Sequence, residues 1–88
     1  MNPADDSTAP KIVYPCLWVY ALLGTNEGLL RLAVAFAVRE RPHKVQFSKR
    51  SKEGKFCSVH LEVRVEDQAE RDLIYKELKR QPDVRMVL

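Results

Sequence analysis

The sequence predicts a single α+β domain in which two helices pack on one face of a four-stranded antiparallel sheet. Its length of 88 residues suits one domain with one core. Short segments that are apolar throughout, or apolar at every second position, predict four strands, and two segments with helical periodicity lie between them. The 45% apolar and 31% charged residues are ordinary for a globular protein.

The first residues, Met1 to Val13, are predicted to form a flexible tail, because they include Pro3 and Pro10, an acidic pair and few apolar groups. They lack the basic start, apolar stretch and small-residue cleavage site of a signal peptide. No apolar stretch approaches the roughly 20 residues of a membrane helix. We therefore expect residues 14–88 to be the folded domain, the location to be cytoplasmic and no membrane to be involved.

The first half of the domain is predicted to be a strand, a helix and a strand. Cys16 to Leu23 is apolar, aromatic and β-branched, and Gly24 closes it, which is typical of a buried strand. Thr25 or Asn26 can cap a helix over about Glu27 to Glu40, which ends before Pro42. Helical spacing predicts an inner stripe made by Leu29, Leu32, Ala33, Phe36 and Ala37. This stripe is widened by Leu30, Val34 and Val38. Lys44 to Ser51 then alternates as a second strand.

The second half repeats this plan. A turn at Lys52 to Lys55 uses Gly54 for a positive φ. The third strand alternates strictly, with one face made by Cys57, Val59, Leu61, Val63 and Val65 and the other by Phe56, Ser58, His60, Glu62 and Arg64. Asp67 and Glu70 have the spacing of a helix capping box. The inner stripe of that helix is predicted to be Ala69, Leu73, Ile74 and Leu78, and Val84 to Leu88 is predicted to be the last strand.

The order β-α-β-β-α-β is that of the ferredoxin-like fold. Right-handed crossovers give the antiparallel sheet the strand order 4-1-3-2 and place both helices on one face. The other face of the sheet is then left open.

Strand 1 is apolar on both of its faces, and this is the most informative feature of the sequence. One face is made by Leu17, Val19, Ala21 and Leu23 and the other by Trp18, Tyr20 and Leu22. Whichever of them meets the helices, the open face receives apolar residues where alternation with polar residues is expected. Exposed apolar patches mark contact surfaces. We expect a surface for a protein or small-molecule partner, most simply a homodimer, formed by Leu17, Val19, Ala21, Phe56, His60 and Val87. The alternative is that the tail, long side chains or chain ends cover this face.

The hairpin is basic, with seven basic side chains against two acidic ones between Arg39 and Lys55. A polar or anion-binding site is predicted there, made by Lys49, Arg50, Ser51 and Lys52. A solvated hairpin is the simpler reading. A single-stranded RNA-binding domain is the alternative function, in which Phe56 would stack on bases beside Lys44, Lys49 and Lys55.

Catalysis, metal binding and a cofactor are not predicted. Cys16, Cys57, His43 and His60 have no zinc-site spacing, and the fold places the two cysteines at opposite ends of their strands. His60 and Ser58 share a strand face, but no orienting acid or oxyanion hole can be named for them. We therefore expect a protein that is not an enzyme, with no catalytic residues, no metal and no cofactor.

Several segments together resemble the YbeD-like family of small bacterial proteins (domain of unknown function 493). They are Tyr14-Pro15 with Gly24, then Gly54-Lys55-Phe56 leading into Ser58-Val59, Ile74-Tyr75-Lys76-Glu77-Leu78, and Val84-Arg85-Met86-Val87-Leu88. The resemblance covers residues 14–88. It implies a ferredoxin-like fold similar to the regulatory domains that bind amino acids in metabolic enzymes. No activity is established for the family, and a link to lipoate metabolism or to regulation is only a suggestion.

Two departures from the family pattern concern the hairpin and strand 1. Arg50-Ser51-Lys52-Glu53-Gly54 stands where the family usually has Pro-Ser-Ser-Lys-Gly, so only Ser51 and Gly54 match. Ala21 stands where the family often has lysine, which makes strand 1 less polar here. Because a lysine belongs on the open face, the resemblance implies that Ala21 lies there with Leu17 and Val19, and that Trp18, Tyr20 and Leu22 point towards the helices.

Overall fold

The computed structural model describes residues 11–88 and contains four strands and two helices in the predicted order. The elements are β1 (Cys16–Gly24), α1 (Glu27–Val38), β2 (His43–Arg50), β3 (Cys57–Val65), α2 (Gln68–Lys79) and β4 (Met86–Val87). The sheet is antiparallel in the order β2-β3-β1-β4, which confirms the predicted fold class and strand order. Of the predicted tail, residues 1–10 lie outside the described part, and Lys11, Ile12 and Val13 are exposed and outside any helix or strand.

The ladder between β1 and β3 is the centre of the sheet. It runs without interruption from the pair Cys16 and Val65 to the pair Gly24 and Cys57. Every second residue of β3, starting at Cys57, is buried, as the alternation predicted. β1 has the predicted phase, because Leu22 is buried while Leu17 and Val19 are 63% and 53% exposed.

Both helices begin at side-chain caps that the sequence indicated. The Asn26 carboxamide oxygen accepts a hydrogen bond from the Leu29 N–H at 2.9 Å, so Asn26 rather than Thr25 is the cap of α1. Asp67 accepts from the Glu70 N–H at 2.8 Å. The Glu70 carboxylate accepts in turn from the backbone N–H of Glu66, one residue before the reciprocal partner of a standard capping box.

The rotation of α1 about its axis differs from the prediction. The three largest members of the predicted stripe are exposed: Leu29 by 50%, Leu32 by 53% and Phe36 by 58%. The helix buries Ala33 and Ala37 of that stripe, together with Leu30, Val34 and Val38, which were predicted to widen it. Because apolar residues cover most of the surface of this helix, helical spacing alone does not select which of them face the core.

The inner stripe of α2 is narrower than predicted. Ile74 and Leu78 are fully buried, but Leu73 is 50% exposed and Ala69 is exposed as well. Two buried side chains are enough to attach α2 to the core, because the partly buried Tyr14, Trp18 and Val84 also pack against that core.

The edge strand β2 carries features that oppose pairing with another sheet. It is mostly exposed, its side chains include His43, Lys44, Lys49 and Arg50, and a bulge interrupts its register between Phe47 and Lys49. Charged side chains and bulges are common ways in which edge strands avoid pairing with another chain. The β2–β3 turn closes through Gly54, whose φ of 75° is the positive value predicted for it.

Candidate functional site

The open face of the sheet has an apolar half and a polar half. On β1 the outward side chains are Leu17, Val19, Ala21 and Leu23, as predicted. Residues directly opposite each other in a ladder share a face. The neighbouring outward side chains of β3 are therefore Ser58, His60, Glu62 and Arg64. Lys44 and Gln46 of β2 continue the polar half beyond β3.

A shallow depression of about 390 Å³ lies where the two halves meet. Its apolar wall comes from β1 and β4, through Ala21, Leu23, Met86 and Leu88, and its polar wall includes Ser58 and His60. Met86 is 49% exposed and Leu88 is 76% exposed. The structure thus brings Leu17, Val19, Ala21 and His60 of the predicted contact surface together on one face.

The prediction for Val87 is wrong. Val87 pairs with Leu22, whose side chain is in the core, so Val87 also points to the helices and is only 7% exposed. Its neighbours Met86 and Leu88, together with Leu23, take its place on the open face. Sequence reasoning had already grouped Leu23 with Leu17, Val19 and Ala21, but it missed Met86 and Leu88, because the phase of a strand with two paired residues depends on its register against β1.

Phe56 faces outward at the hairpin end of the open face. It is 40% exposed and stands beside Lys52 and Lys55 in a shallow depression. It lies two residues before Ser58, the partner of Leu23, and six residues, or about 20 Å, before Glu62, the partner of Val19. Phe56 is therefore near Leu23 but far from Val19, so the predicted contact surface is not one compact patch.

The four residues of the predicted anion site do not converge on one point. Lys49 lies opposite Ser58 on the open face, whereas Arg50 lies opposite Cys57 on the helix-side face, with its guanidinium 5.6 Å from the Phe47 ring centre. The Ser51 hydroxyl accepts a hydrogen bond from the Phe56 N–H at 3.1 Å and so helps to close the hairpin. Lys52, the fourth residue, is exposed in the turn.

On the helix side of β1, aromatic side chains meet Arg71 of α2. The guanidinium of Arg71 lies 4.5 Å from the centre of the Trp18 ring. The Tyr20 hydroxyl donates a hydrogen bond of 2.6 Å to the backbone carbonyl of Arg71. Burial raises the pKa of Tyr20 to about 12, although the positive charge of Arg71 acts in the opposite direction. These contacts place α2 directly over β1.

Asp83 ties the loop before β4 to the start of α1. Its carboxylate accepts hydrogen bonds from the Thr25 hydroxyl at 2.5 Å and from the backbone N–H groups of Thr25 and Asn26 at 3.0 Å each. Burial acts to raise the pKa of Asp83, but these donors and nearby Arg85 hold the pKa below its usual range. Asp83 is only 8% exposed, and we assign it a structural role because its carboxylate bonds are made within the protein.

The titratable groups that were weighed for chemistry remain dispersed. Cys16 and Cys57 lie at opposite ends of the β1–β3 ladder, as predicted, and neither forms a disulfide. Within residues 11–88 no three His, Cys, Asp or Glu side chains are close enough to hold a metal ion. Neither α1 nor α2, the two helices in this part of the chain, has the length and apolarity that crossing a bilayer requires.

Comparisons with known proteins agree with the fold and with the resemblance found in the sequence. An uncharacterized protein of Helicobacter pylori strain 26695 is 34% identical over 74 residues, which cover 84% of this chain and 86% of the relative, and its counterpart in strain J99 is 31% identical over the same shares. The solution structure of the H. pylori protein HP0495 matches with a TM-score of 0.80 at 32% identity, covering 94% of this chain and 91% of that one.

A more distant structural neighbour shows how widely the fold is shared. The ACT domain from the GTP pyrophosphokinase of Chlorobium tepidum matches with a TM-score of 0.59 at 11% identity, over 82% of this chain and 94% of that one. At this identity the likeness concerns the fold alone. The family described as "Protein of unknown function (DUF493)" matches residues 9–88. The chain therefore belongs to the DUF493 family.

Proposed function

We propose that this protein is a non-catalytic regulatory or adaptor domain that acts by binding through its open sheet face, and that the simplest occupant of this face is a second copy of the chain. The observation that carries the proposal is the exposure of Leu17 and Val19 on a central strand, next to the apolar wall of the depression. Contact removes this exposed apolar area from water and so favours association, but the affinity is not proportional to the buried area.

The size of the face supports a modest dimer. Three strands of 8–9 residues and the two-residue β4, spaced about 4.8 Å apart, outline roughly 450 Å² before side-chain relief is counted. A standard interface buries about 800 Å² on each partner. The apolar half alone is too small for such an interface, so a stable dimer has to include the polar half as well.

The polar half has the charge pattern that self-association requires. A two-fold interface is self-complementary, so each charge on the surface needs its opposite on the same surface. Arg64 and Glu62 occupy successive outward positions of β3, and Lys44 lies opposite Glu62 on β2. Both signs are therefore available to pair across a two-fold axis.

A regulatory rather than catalytic role is supported by two features. The residues directly opposite His60 are Ala21 on β1 and Gln46 on β2, which carry no carboxylate, and the carboxylate-bearing Glu62 is two positions away along β3, about 7 Å between Cα atoms. The fold is also that of an ACT domain found in a larger enzyme, which is the type of domain that the family resemblance connects with regulation.

The test is Val19→Glu, with Leu29→Glu as a matched control on the exposed side of α1. The proposal expects wild type to dimerise in analytical ultracentrifugation. It expects Val19→Glu to raise the dissociation constant by roughly 100-fold, because each dimer gains two charges in an apolar contact. Leu29→Glu should leave it unchanged, and both variants should keep the wild-type circular dichroism spectrum. A monomeric wild type at several hundred micromolar, or an unchanged dimer in Val19→Glu, contradicts the proposal.

Single-stranded RNA binding is the alternative, and it has less support. The outward positions of β1 and β3 named above carry no aromatic side chain on which bases could stack, and Phe56 stands apart at the hairpin end. Titration of an oligonucleotide at two salt concentrations separates the two functions. Salt-sensitive binding that Phe56→Ala weakens would favour RNA.

A further inference from the structure

The edge of β1 is only partly covered by β4. Met86 and Val87 pair with Leu23 and Leu22, and Leu88 exchanges backbone hydrogen bonds of 3.0 and 2.8 Å with Ala21. Within residues 11–88 no strand lies beside Cys16–Tyr20 on that side. As far as residues 11–88 are concerned, more than half of this central strand is therefore also an edge.

The backbone groups at this edge point outward. In an antiparallel ladder the N–H and C=O groups of successive residues point alternately to the two neighbouring strands. Because both groups of Ala21 face β4, those of Leu17 and Val19 face the same side, and those of Trp18 and Tyr20 face β3. Two donors and two acceptors are thus available in one line.

This edge lacks the protection seen on β2. It has no charged residue and no bulge between Cys16 and Tyr20, whereas β2 has both charges and a bulge. An unprotected edge that is rich in β-forming residues is a template for a further strand.

A slot of about 350 Å³ adjoins the edge on the helix side. It is lined by Trp18 and Tyr20 of β1, by Arg71, Asp72 and Tyr75 of α2, and by Leu88 at its end. A strand added beside β1 would place the side chain opposite Trp18 in this slot. The side chains opposite Leu17 and Val19 would lie on the open face, beside two exposed apolar residues.

We infer that this edge binds a short extended segment of a partner protein, which continues the line of β4 and carries apolar side chains at three successive positions, the middle one large or aromatic. Four backbone hydrogen bonds provide the attachment, and the slot selects the middle side chain. The inference goes beyond the proposed self-association and does not depend on it, because it uses the edge of the sheet rather than its face.

A second copy does not fit the same edge. Direct pairing of two β1 strands would place them about 4.8 Å apart. Each copy carries α2 over β1, as the contacts of Arg71 with Trp18 and Tyr20 show, so the two helices would lie about as close as the strands. Packed helices need 8–10 Å between their axes. A single strand without a helix above it is the occupant that the geometry allows.

Amide hydrogen exchange in the full chain tests the edge. The free protein should show fast exchange at Leu17 and Val19 and slow exchange at Trp18 and Tyr20, because only the latter two amides face β3. If the amides of Leu17 and Val19 are as protected as that of Trp18 in the free protein, the chain already covers its own edge and the inference is overturned.

The probe for binding is the capped pentapeptide Thr-Val-Tyr-Val-Thr, and its control carries N-methyl groups on both valines. At about four-fifths saturation the peptide should slow exchange at Leu17 and Val19 about five-fold, since exchange then proceeds through the remaining free protein. The N-methylated peptide should have no effect, because it lacks the two N–H donors that pair with β1. Equal binding of both peptides, or no slowing up to the solubility limit, overturns the inference.

Protein variants locate the site. Tyr75→Ala, on the exposed rim of the slot, should weaken binding of the peptide at least five-fold, whereas Leu29→Ala on α1 should leave it unchanged. Unchanged binding to Tyr75→Ala would show that the slot does not receive the middle side chain, which also overturns the inference.

Discussion

Asp83→Ala is expected to destabilise the domain strongly, because one carboxylate holds the start of α1 to the loop before β4. Three donors lose their acceptor: the Thr25 hydroxyl and the N–H groups of Thr25 and Asn26. Hydrogen bonds to charged groups contribute about 1.5–3 kcal/mol each, but the contributions are not additive and water can enter the vacated site. We expect the free energy of unfolding to fall by about 3 kcal/mol. Asp83→Asn keeps one acceptor oxygen and should cost about half as much.

Urea unfolding followed by circular dichroism measures these changes, with Asp72→Ala as a control that removes an exposed carboxylate 3.7 Å from Arg71. The control should change the free energy by less than about 0.5 kcal/mol. The pH dependence has a defined sign. Because the pKa of Asp83 is lowered in the folded state, its contribution is present above the unfolded value of about 3.9 and is lost as the pH falls through the folded value. The difference in free energy of unfolding between wild type and Asp83→Asn should therefore become smaller below about pH 4. A decrease in the free energy of unfolding of less than about 1 kcal/mol for Asp83→Ala would refute this reasoning, as would a difference between wild type and Asp83→Asn that does not change with pH.

Three further predictions concern single side chains. Tyr20→Phe should cost about 1 kcal/mol at pH 7. Because the pKa of Tyr20 is about 12 instead of 10, wild type should lose up to about 2–3 kcal/mol between pH 10 and 12, and a variant that shows the same loss would contradict the assignment. Val87→Thr should lower the free energy of unfolding measured in urea by about 1–2 kcal/mol, while Met86→Thr should change it little, and the reverse order would restore the predicted phase of β4. Gly24→Ala should cost about 2–3 kcal/mol, since its Cβ would lie 2.6 Å from a backbone oxygen, whereas Gly54→Ala, with open space but a φ of 75°, should cost about 1 kcal/mol in the same unfolding assay.

Several of the features that were predicted correctly are ones in which neighbouring residues act on one another. The alternation from Cys57 to Val65 predicts a half-buried strand because side chains alternate across a pleated backbone. The caps of Asn26 and Asp67 satisfy N–H groups only three residues away. Gly54 supplies a backbone angle within its own turn. None of these depends on the rest of the molecule.

The predictions that failed concern how elements are rotated or aligned. The exposure of Leu29, Leu32 and Phe36 results from the rotation of α1 against the sheet, which an almost uniformly apolar helix does not specify. The burial of Val87 results from its register against Leu22. A shift of one residue in register exchanges the two faces of a strand, and the sequence of so short a strand does not predict which register forms.

By itself, the sequence determined the order of the elements, the strand order that right-handed crossovers impose, and an apolar β1. Only the tertiary structure decided where β4 stops along β1, which residues complete the open face, and that Asp83 reaches Thr25, 58 residues away in the chain. The physical reason is the distance along the chain over which each interaction acts. Propensity, alternation and capping act over a few residues, whereas register, helix rotation and long-range hydrogen bonds are selected when the whole core packs at once.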